Sequence, residues 1–179
     1  MGRLFAVVGP SGSGKDTLID AARQARTDLV LVRRVITRPS SAGGEDFDGV
    51  SEAEFERLAT SGAFALHWRA NGLRYGLPAA SIDLHRQGRD VLFNGSREAM
   101  VQAAQLYPDM TVIRICAPSQ VLMERLLARG RETREQIEAR IARASFDLPS
   151  SLKVIDIRND GALAPAVQHF LAALQPPKA

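Results

Sequence analysis

Residues 4–17 read LFAVVGPSGSGKDT, an apolar run followed by a glycine-rich turn and a lysine. The turn matches G-x-x-x-x-G-K and stands between a predicted strand and a predicted helix, which is the context this motif requires. Glycines let backbone N–H groups turn inward around phosphate oxygens, and the start of the helix adds the positive end of its dipole. The stretch therefore predicts a loop that holds the phosphates of ATP. Its members are Gly9, Pro10, Ser11, Gly12, Ser13, Gly14 and Lys15.

The two residues after the lysine depart from the motif. Where the pattern has Ser or Thr as a magnesium ligand, this chain has Asp16, followed by Thr17, and both belong to the predicted nucleotide site. An aspartate still offers oxygen to a hard cation, and without a metal its charge would repel the ATP phosphates. We expect Asp16 to face Mg²⁺, directly or through water. The alternative is that it only stabilises the first turn of the helix.

Outward from this loop, apolar strand-like runs alternate with helical patterns. Strands are predicted over residues 4–8, 29–35, 91–93, 111–116 and 153–157. Helices are predicted over residues 15–26, 52–60, 79–87, 98–106, 119–129 and 163–174, with a further one opened by the capping box of Thr133 and Gln136. This alternation predicts an α/β fold with a doubly wound, mainly parallel five-stranded sheet and helices on both faces. Such sheets bind ligands at the carboxyl ends of their strands.

Composition narrows the class of protein. The 179 residues, 45% of them hydrophobic, suit a single domain with inserts. The lone cysteine, Cys116, lies in an apolar run and is predicted to be a core residue in a reducing, cytoplasmic setting. No apolar stretch approaches the roughly 20 residues of a membrane helix, and the basic residues form no dense stretch for nucleic acid. The oligomeric state, monomer or homodimer, stays open.

From Gly9 onward the chain resembles the guanylate kinase branch of the nucleoside-monophosphate kinases over nearly its whole length. The resemblance rests on the phosphate loop, Thr37-Arg38-Pro39, Tyr75-Gly76, Arg125-Leu126-x-x-Arg129-Gly130, Ile137-x-x-Arg140-Ile141-x-x-Ala144 and Asn159-Asp160. It implies one P-loop kinase domain over residues 1–179. Within it the resemblance implies an acceptor-binding insert at about 35–84 and an arginine-bearing lid at about 125–143.

Four departures fall around the acceptor. Ser41 stands at the position where guanylate kinases have a second arginine. Leu66 stands at the position where they have the carboxylate that recognises guanine. Phe47 replaces a tyrosine that contacts the nucleotide phosphate, and Ser96 replaces an acidic residue at the end of a core strand. Leucine cannot accept the hydrogen bonds of guanine N–H groups, and a site built for them would lose several kcal/mol without a partner.

With these departures the chain resembles the ribose 1,5-bisphosphate phosphokinases, relatives of guanylate kinases tied to phosphonate catabolism. The supporting stretches are Gly14-Lys15-Asp16-Thr17, residues 34–39, residues 43–46 and residues 68–78. The resemblance implies transfer of the γ-phosphoryl group of ATP to the 1-phosphate of ribose 1,5-bisphosphate, giving 5-phosphoribosyl 1-diphosphate (PRPP). The alternatives are a guanylate or other nucleoside-monophosphate kinase, disfavoured by Leu66, and a non-catalytic guanylate-kinase-like binding module, disfavoured by the intact Lys15 loop.

This reaction would need cations more than a base, because a phosphate with a second pKa of about 6 is already largely anionic near neutral pH. The resemblance implies Arg38 on the acceptor side and Arg129 and Arg140 on the lid as catalytic cations, with Lys15. The roles of Arg131 and Arg143 stay open.

Further candidates lie beside these cations. Tyr75 is expected to donate to the acceptor phosphate, the alternative being a packing tyrosine. Glu45 and Asp46 are expected to bind ribose hydroxyls unless they are only acidic loop residues. Asn159 follows the last strand, where the family approaches adenine; a plain Asn-Asp-Gly turn is the equal alternative. Arg69 and Arg74 are candidates for the second phosphate of the acceptor.

Overall fold

The core of the protein is a parallel sheet with helices on both faces. The computed structural model describes residues 1–142 and 147–175. The sheet has the strand order β2-β7-β1-β8-β9, and all its pairs are parallel. These strands are β1 (Leu4–Val8), β2 (Val30–Leu31), β7 (Val91–Asn94), β8 (Thr111–Cys116) and β9 (Lys153–Arg158). The predicted five-stranded parallel sheet is therefore confirmed.

The α-helices of the described residues pack against this sheet, against the insert or against one another. They are α1 (Lys15–Ala25), α2 (Glu52–Thr60), α3 (Ala79–Ile82), α4 (Arg97–Leu106), α5 (Ser119–Ala128), α6 (Arg134–Ala142) and α7 (Leu163–Ala173). The capping box that opens α6 is present, since Thr133 and Gln136 exchange backbone-to-side-chain hydrogen bonds of 2.9 and 3.3 Å. Short α3 continues into a 3₁₀ turn over Asp83–Gln87, which ends at Gly88 in the left-handed conformation.

Strand β1 lies at the centre and separates two apolar clusters. Its alternate side chains point to opposite faces, as in any strand. Phe5 and Val7 pack with residues of α1 and α7, whereas Leu4, Ala6 and Val8 pack with residues of α4 and of the insert. All five are buried, which fixes the carboxyl end of β1, and hence the start of the glycine-rich loop, in the middle of the sheet edge.

A second sheet, which the sequence did not predict, forms within the insert. Its order is β4-β3-β6-β5, with β3 parallel to β4 and the other pairs antiparallel. The strands are β3 (Arg34–Ile36), β4 (Phe47–Gly49), β5 (Phe64–Ala70) and β6 (Leu73–Pro78).

The predicted strand over residues 29–35 is wrong as a single element. It is split between two sheets: β2 pairs with β7 in the core sheet, and β3 pairs with β4 and β6 in the insert. The chain crosses between them at Arg33, whose exposed side chain binds Asp46 and Asp48. Both halves are apolar and extended, so periodicity alone could not show the crossing.

Across the described residues, no helix is both long enough and apolar enough to cross a membrane.

Candidate active site

The glycine-rich loop joins the end of β1 to the start of α1. Gly12 and Gly14 adopt φ of 83° and 89°, a left-handed conformation that other residues rarely take. A Cβ atom at Gly14 would lie 2.4 Å from Nδ2 of Asn159, so the loop is also packed too closely there for a side chain. The glycines of the motif are therefore required by backbone geometry and by space.

Lys15 folds back over this loop. Its ammonium group donates to the carbonyl oxygens of Gly9, at 2.7 Å, and Pro10, at 3.3 Å. Burial lowers the pKa of Lys15 to about 8; the charge of Asp16 opposes this shift, and that of Arg34 adds to it. The cation is thus held among weak neutral acceptors, in a position where a triphosphate would be a stronger partner.

Two side chains from elsewhere in the fold hold the loop from behind. Asn159, at the end of β9, is buried and donates from Nδ2 to the carbonyl oxygen of Ser13 at 2.8 Å. Arg125 on α5 donates to the carbonyl oxygen of Gly12 at 3.2 Å. The structure thus gives Asn159 a supporting role under the loop; the contact with adenine suggested from the sequence stays a prediction.

Asp16 is exposed in the first turn of α1, directly after Lys15. Its Oδ1 atom accepts a hydrogen bond of 3.3 Å from Asn94, at the end of β7. No group of three or more His, Cys, Asp or Glu side chains among the described residues could hold a metal by itself. Mg²⁺ commonly binds one or two carboxylates and completes its shell with substrate phosphates and water, so an exposed Asp16 beside the phosphate loop fits that ion.

The insert contributes Trp68 and Tyr75 to the wall of a cleft that is also lined by Lys15. Tyr75 on β6 stacks on Trp68 of β5, with ring centroids 5.5 Å apart and planes at 9°. Burial raises the pKa of Tyr75, and the charges of Arg34 and Arg38 work against that shift. Arg38 lies over the ring of Phe47 at 4.3 Å and donates to the carbonyl oxygen of Gly43. Phe47, at the position of the family's tyrosine, therefore supports an arginine in place of offering a hydroxyl.

Arg34 is the residue of this wall that sequence reasoning missed. Its guanidinium is buried, forms a two-pronged ion pair with Glu45, and lies 4.8 Å from the centre of the Tyr75 ring. Glu45, expected at the ribose hydroxyls, thus has both oxygens on Arg34. The sequence offered one weak signal, an arginine at the start of a strand that is otherwise apolar.

A central cleft of about 260 Å³ brings many of the predicted residues together. Among the residues that line it are Gly9, Ser11, Gly12, Gly14, Lys15, Asp16, Thr17, Glu45, Tyr75 and Arg129. A larger neighbouring cleft of about 590 Å³ runs from Gly9, Pro10 and Ser11 to Arg140 on α6. The two clefts share Gly9 and Ser11 of the phosphate loop, together with Ala70, Asn71 and Ser96.

The arginines that the sequence assigns to a lid occupy different positions. Arg129 caps α5 and is exposed towards the central cleft. Arg140 lies in the larger cleft, where it binds Glu132 at 2.8 Å. Arg131 is exposed in the turn between α5 and α6, and Arg143 lies outside the described residues.

Arg69 and Arg74 are not placed at the cleft. Arg74 binds Glu56 at 2.7 Å and lies over the ring of Phe55, on the α2 side of the insert sheet. Arg69 is its cross-strand neighbour and is exposed on the same face. Since Tyr75 follows Arg74 directly, the two side chains point to opposite faces, and only Tyr75 reaches the cleft.

The position expected to read a nucleobase is filled by core packing. Leu66 and Leu77 are fully buried, and both belong to the apolar cluster that contains Trp68. Ser96 lies at the N-terminus of α4, two residues beyond the end of β7, which closes with Asn94. No carboxylate is supplied from Leu66 or Ser96, in agreement with the departures seen in the sequence.

Comparison with known proteins identifies the relatives of this chain. The family model described as guanylate kinase matches residues 1–163. A protein of Ruegeria sp. named ribose 1,5-bisphosphate phosphokinase PhnN is 45% identical over 99% of this chain and 94% of its own length. One of the same name from Azotobacter vinelandii is 53% identical over 79% of each chain.

Two further comparisons concern length and fold. The chain is 45% identical to a protein of Cupriavidus necator named bifunctional ribose 1,5-bisphosphokinase-thymidine phosphorylase, of which it spans 29%. The crystal structure of guanylate kinase from Anaplasma phagocytophilum superimposes with a TM-score of 0.67 at 21% identity, covering 96% of this chain and 85% of that one. That likeness establishes the shared fold.

Proposed function

Because this chain belongs to the ribose 1,5-bisphosphate phosphokinase branch of the guanylate kinase family, we propose that it transfers the γ-phosphoryl group of ATP to the 1-phosphate of ribose 1,5-bisphosphate. The products are PRPP and ADP. One observation supports this acceptor over GMP: the guanine-reading position is Leu66, which is 1% exposed and packed in an apolar cluster. A nucleobase would find no hydrogen-bonding partner in that side chain, and its polar edge would be desolvated without compensation.

The donor side of the reaction depends on the phosphate loop. Backbone N–H groups of the loop would surround the β- and γ-phosphates, and Lys15 would leave its carbonyl partners for them. Asp16 would hold Mg²⁺ together with the phosphate oxygens of ATP, and the ion would supply neutralisation of their charge. Asn159 and Arg125 would hold the loop in the same conformation while ATP is converted to ADP.

The acceptor side depends on cations and one hydroxyl. Arg38 and Tyr75 would bind phosphate oxygens of the acceptor, and the acceptor oxygen attacks without a general base because it is already anionic. Arg129, at the edge of the central cleft, and Arg140, once released from Glu132, would neutralise the transferred group. Positioning and charge neutralisation together are what such a transfer requires.

A direct assay tests the proposal. Purified protein is incubated with Mg-ATP and ribose 1,5-bisphosphate, and products are followed by ³¹P NMR, in which the diphosphate of PRPP is distinct from ADP. We expect PRPP, GMP turnover at least about a hundredfold slower, and no turnover with Lys15→Met. Robust GMP phosphorylation, or PRPP formation by Lys15→Met, would contradict the proposal.

A further inference from the structure

Arg34 is a buried cation next to the lysine of the phosphate loop. Its side chain is 8% exposed, yet it lines the central cleft together with Lys15 and Tyr75. Placing two cations close together away from bulk water is costly unless anions are bound between them. The position is therefore one where a negatively charged ligand would be stabilised.

Three hydrogen bonds and one ring contact fix the guanidinium in place. Its Nε donates to Oε2 of Glu45 at 2.7 Å, and its Nη2 donates to the other carboxylate oxygen. Its Nη1 donates to the carbonyl oxygen of Asn94 at 3.2 Å, and the guanidinium lies over the ring of Tyr75, 4.8 Å from the ring centroid. Strand β3 and the ring of Tyr75 hold the guanidinium rigidly, so its forked edge presents a preformed site for a planar pair of oxygens.

The carboxylate of Glu45 binds the forked edge of Arg34, and it comes from a different part of the chain. It follows Gly43 and Gly44, whose φ values of 72° and 95° place them in conformations natural only to glycine. The carboxylate thus comes from a glycine-containing loop, whereas the arginine comes from a paired strand. A carboxylate and a phosphate bind the same edge of a guanidinium with the same two-pronged geometry. Glu45 therefore fills a place that a phosphate would fit.

We propose that Arg34 binds a phosphate group of the acceptor, and that Glu45 occupies its guanidinium only until that phosphate arrives. The inference rests on the proposed function, because it assigns a binding partner to an acceptor with two phosphates. It also supplies the cation that Arg69 and Arg74 do not, since those side chains lie on the opposite face of the insert sheet.

Kinetics of Arg34→Gln test the assignment, with Arg33→Gln as the matched control. Arg33 is the preceding residue, but its exposed side chain binds Asp46 and Asp48 instead of lining the cleft. We expect Arg34→Gln to raise the KM for ribose 1,5-bisphosphate roughly ten- to hundredfold, the effect of losing a charge-assisted hydrogen bond. The KM for ATP should change less than about threefold. Arg34→Lys should recover part of the loss, and Arg33→Gln should match the wild type.

Glu45→Gln tests the exchange of anions. If Glu45 competes with the acceptor phosphate, removing its charge lowers the acceptor KM severalfold, and the effect shrinks at high salt. If its carboxylate instead binds the sugar, the same variant raises that KM, and the exchange is wrong. A circular-dichroism melt of each variant verifies that it is folded.

A binding assay separates this inference from the proposed function. Trp68 is the single tryptophan of the chain and stacks on Tyr75, so its fluorescence reports on this wall of the cleft. With the phosphate loop filled by Mg-ADP, inorganic pyrophosphate is titrated against the wild type, Arg33→Gln and Arg34→Gln. We expect weaker binding by Arg34→Gln alone, even if the wild type forms no PRPP and the proposed function fails. Equal binding by all three proteins would overturn the role of Arg34.

Discussion

The ammonium group of Lys15 has a lowered pKa in the protein without bound ATP. Burial lowers its pKa to about 8, whereas bound phosphates would raise it again. Between about pH 8 and the unfolded value of 10.5 the folded protein binds fewer protons than the unfolded chain, so this group makes folding more favourable as pH rises there. The charge needed for binding is therefore present at some cost to the stability of the empty protein.

We expect the affinity for Mg-ATP to be constant below about pH 7 and to weaken above about pH 8, by up to about tenfold per pH unit. The reason is that the complex keeps a proton on Lys15 that the free enzyme has begun to lose. Calorimetric titrations between pH 6.5 and 9.5 measure this dependence. Lys15→Arg serves as the control, because its guanidinium stays protonated and its profile should be flat over that range. A wild-type profile as flat as that of Lys15→Arg would contradict the lowered pKa.

Asp16 is the residue that we propose as the protein ligand of Mg²⁺. Its exposed carboxylate accepts one hydrogen bond, from Asn94. We expect Asp16→Asn to raise the Mg²⁺ concentration for half-maximal rate about tenfold or more, because a hard cation loses an anionic oxygen ligand. Melting temperature should be nearly unchanged.

Asp20→Asn is the matched control, since Asp20 lies one turn further along α1 and is also exposed, with Arg23 at 3.9 Å. Steady-state rates over a magnesium series distinguish the two variants. Identical magnesium dependence in both would leave Asp16 with no more than a role in the first turn of its helix.

At the scale of residues, the sequence predicted the side chains whose position follows from their own segment. It missed those whose position depends on tertiary contacts. Gly12, Gly14 and Lys15 stand in one short segment whose geometry follows from its own residues. Arg34 could not be assigned, because its importance comes from Glu45, Asn94 and Tyr75, which reach it from three other segments.

At the scale of elements, the phosphate loop depends on the ends of strands other than β1. Asn159, at the end of β9, is 4% exposed and binds the carbonyl oxygen of Ser13. We expect Asn159→Ala to destabilise the fold by about 1–3 kcal/mol, because a buried carbonyl loses its partner. The KM for ATP should rise severalfold as the loop loosens.

Asp160→Ala is the control for that variant. Asp160 is the next residue, but it pairs with the exposed Arg158, and such surface pairs contribute about 0–1 kcal/mol. Urea unfolding and ATP kinetics on both variants give the comparison. If Asn159→Ala bound ATP normally while losing stability, the supporting role would be limited to folding.

The elements themselves were predictable where a continuous apolar run or a helical period lies within one segment. Strands β1, β8 and β9 and helices α1, α4 and α7 follow from their apolar patterns. The insert sheet does not, because β3 and β4 have three residues each and β3 pairs with strands that come later in the chain. Residues 29–35 show the difficulty, because this one apolar run contributes strands to two sheets. The spacing of its apolar residues gives no sign that the chain crosses from one sheet to the other at Arg33.

At the scale of the whole molecule, we propose that residues 1–179 act as one kinase domain whose lid closes over both substrates. Helix α6 lies across the larger cleft from the phosphate loop, and the hairpin turn at Asn71 forms a further part of the same cleft. Arg140 is bound to Glu132, so it is not yet directed to the phosphates. A transfer between two anions that excludes water requires this cleft to narrow.

Distance measurements between spin labels test closure directly. Labels at Asn71→Cys and Glu135→Cys lie on the hairpin turn and on α6, both of which line the larger cleft. The native Cys116 is half-buried, and burial raises the pKa of its thiol, so the exposed engineered cysteines label in preference. We expect the distance to shorten by several ångströms with a non-hydrolysable ATP analogue and acceptor together, and less with either alone. A control pair at Gln102→Cys on α4 and Gln168→Cys on α7, on opposite faces of the core sheet, should not change. If both substrates bound and the first distance stayed constant, the larger cleft would be a fixed feature and Arg140 would have no part in transfer.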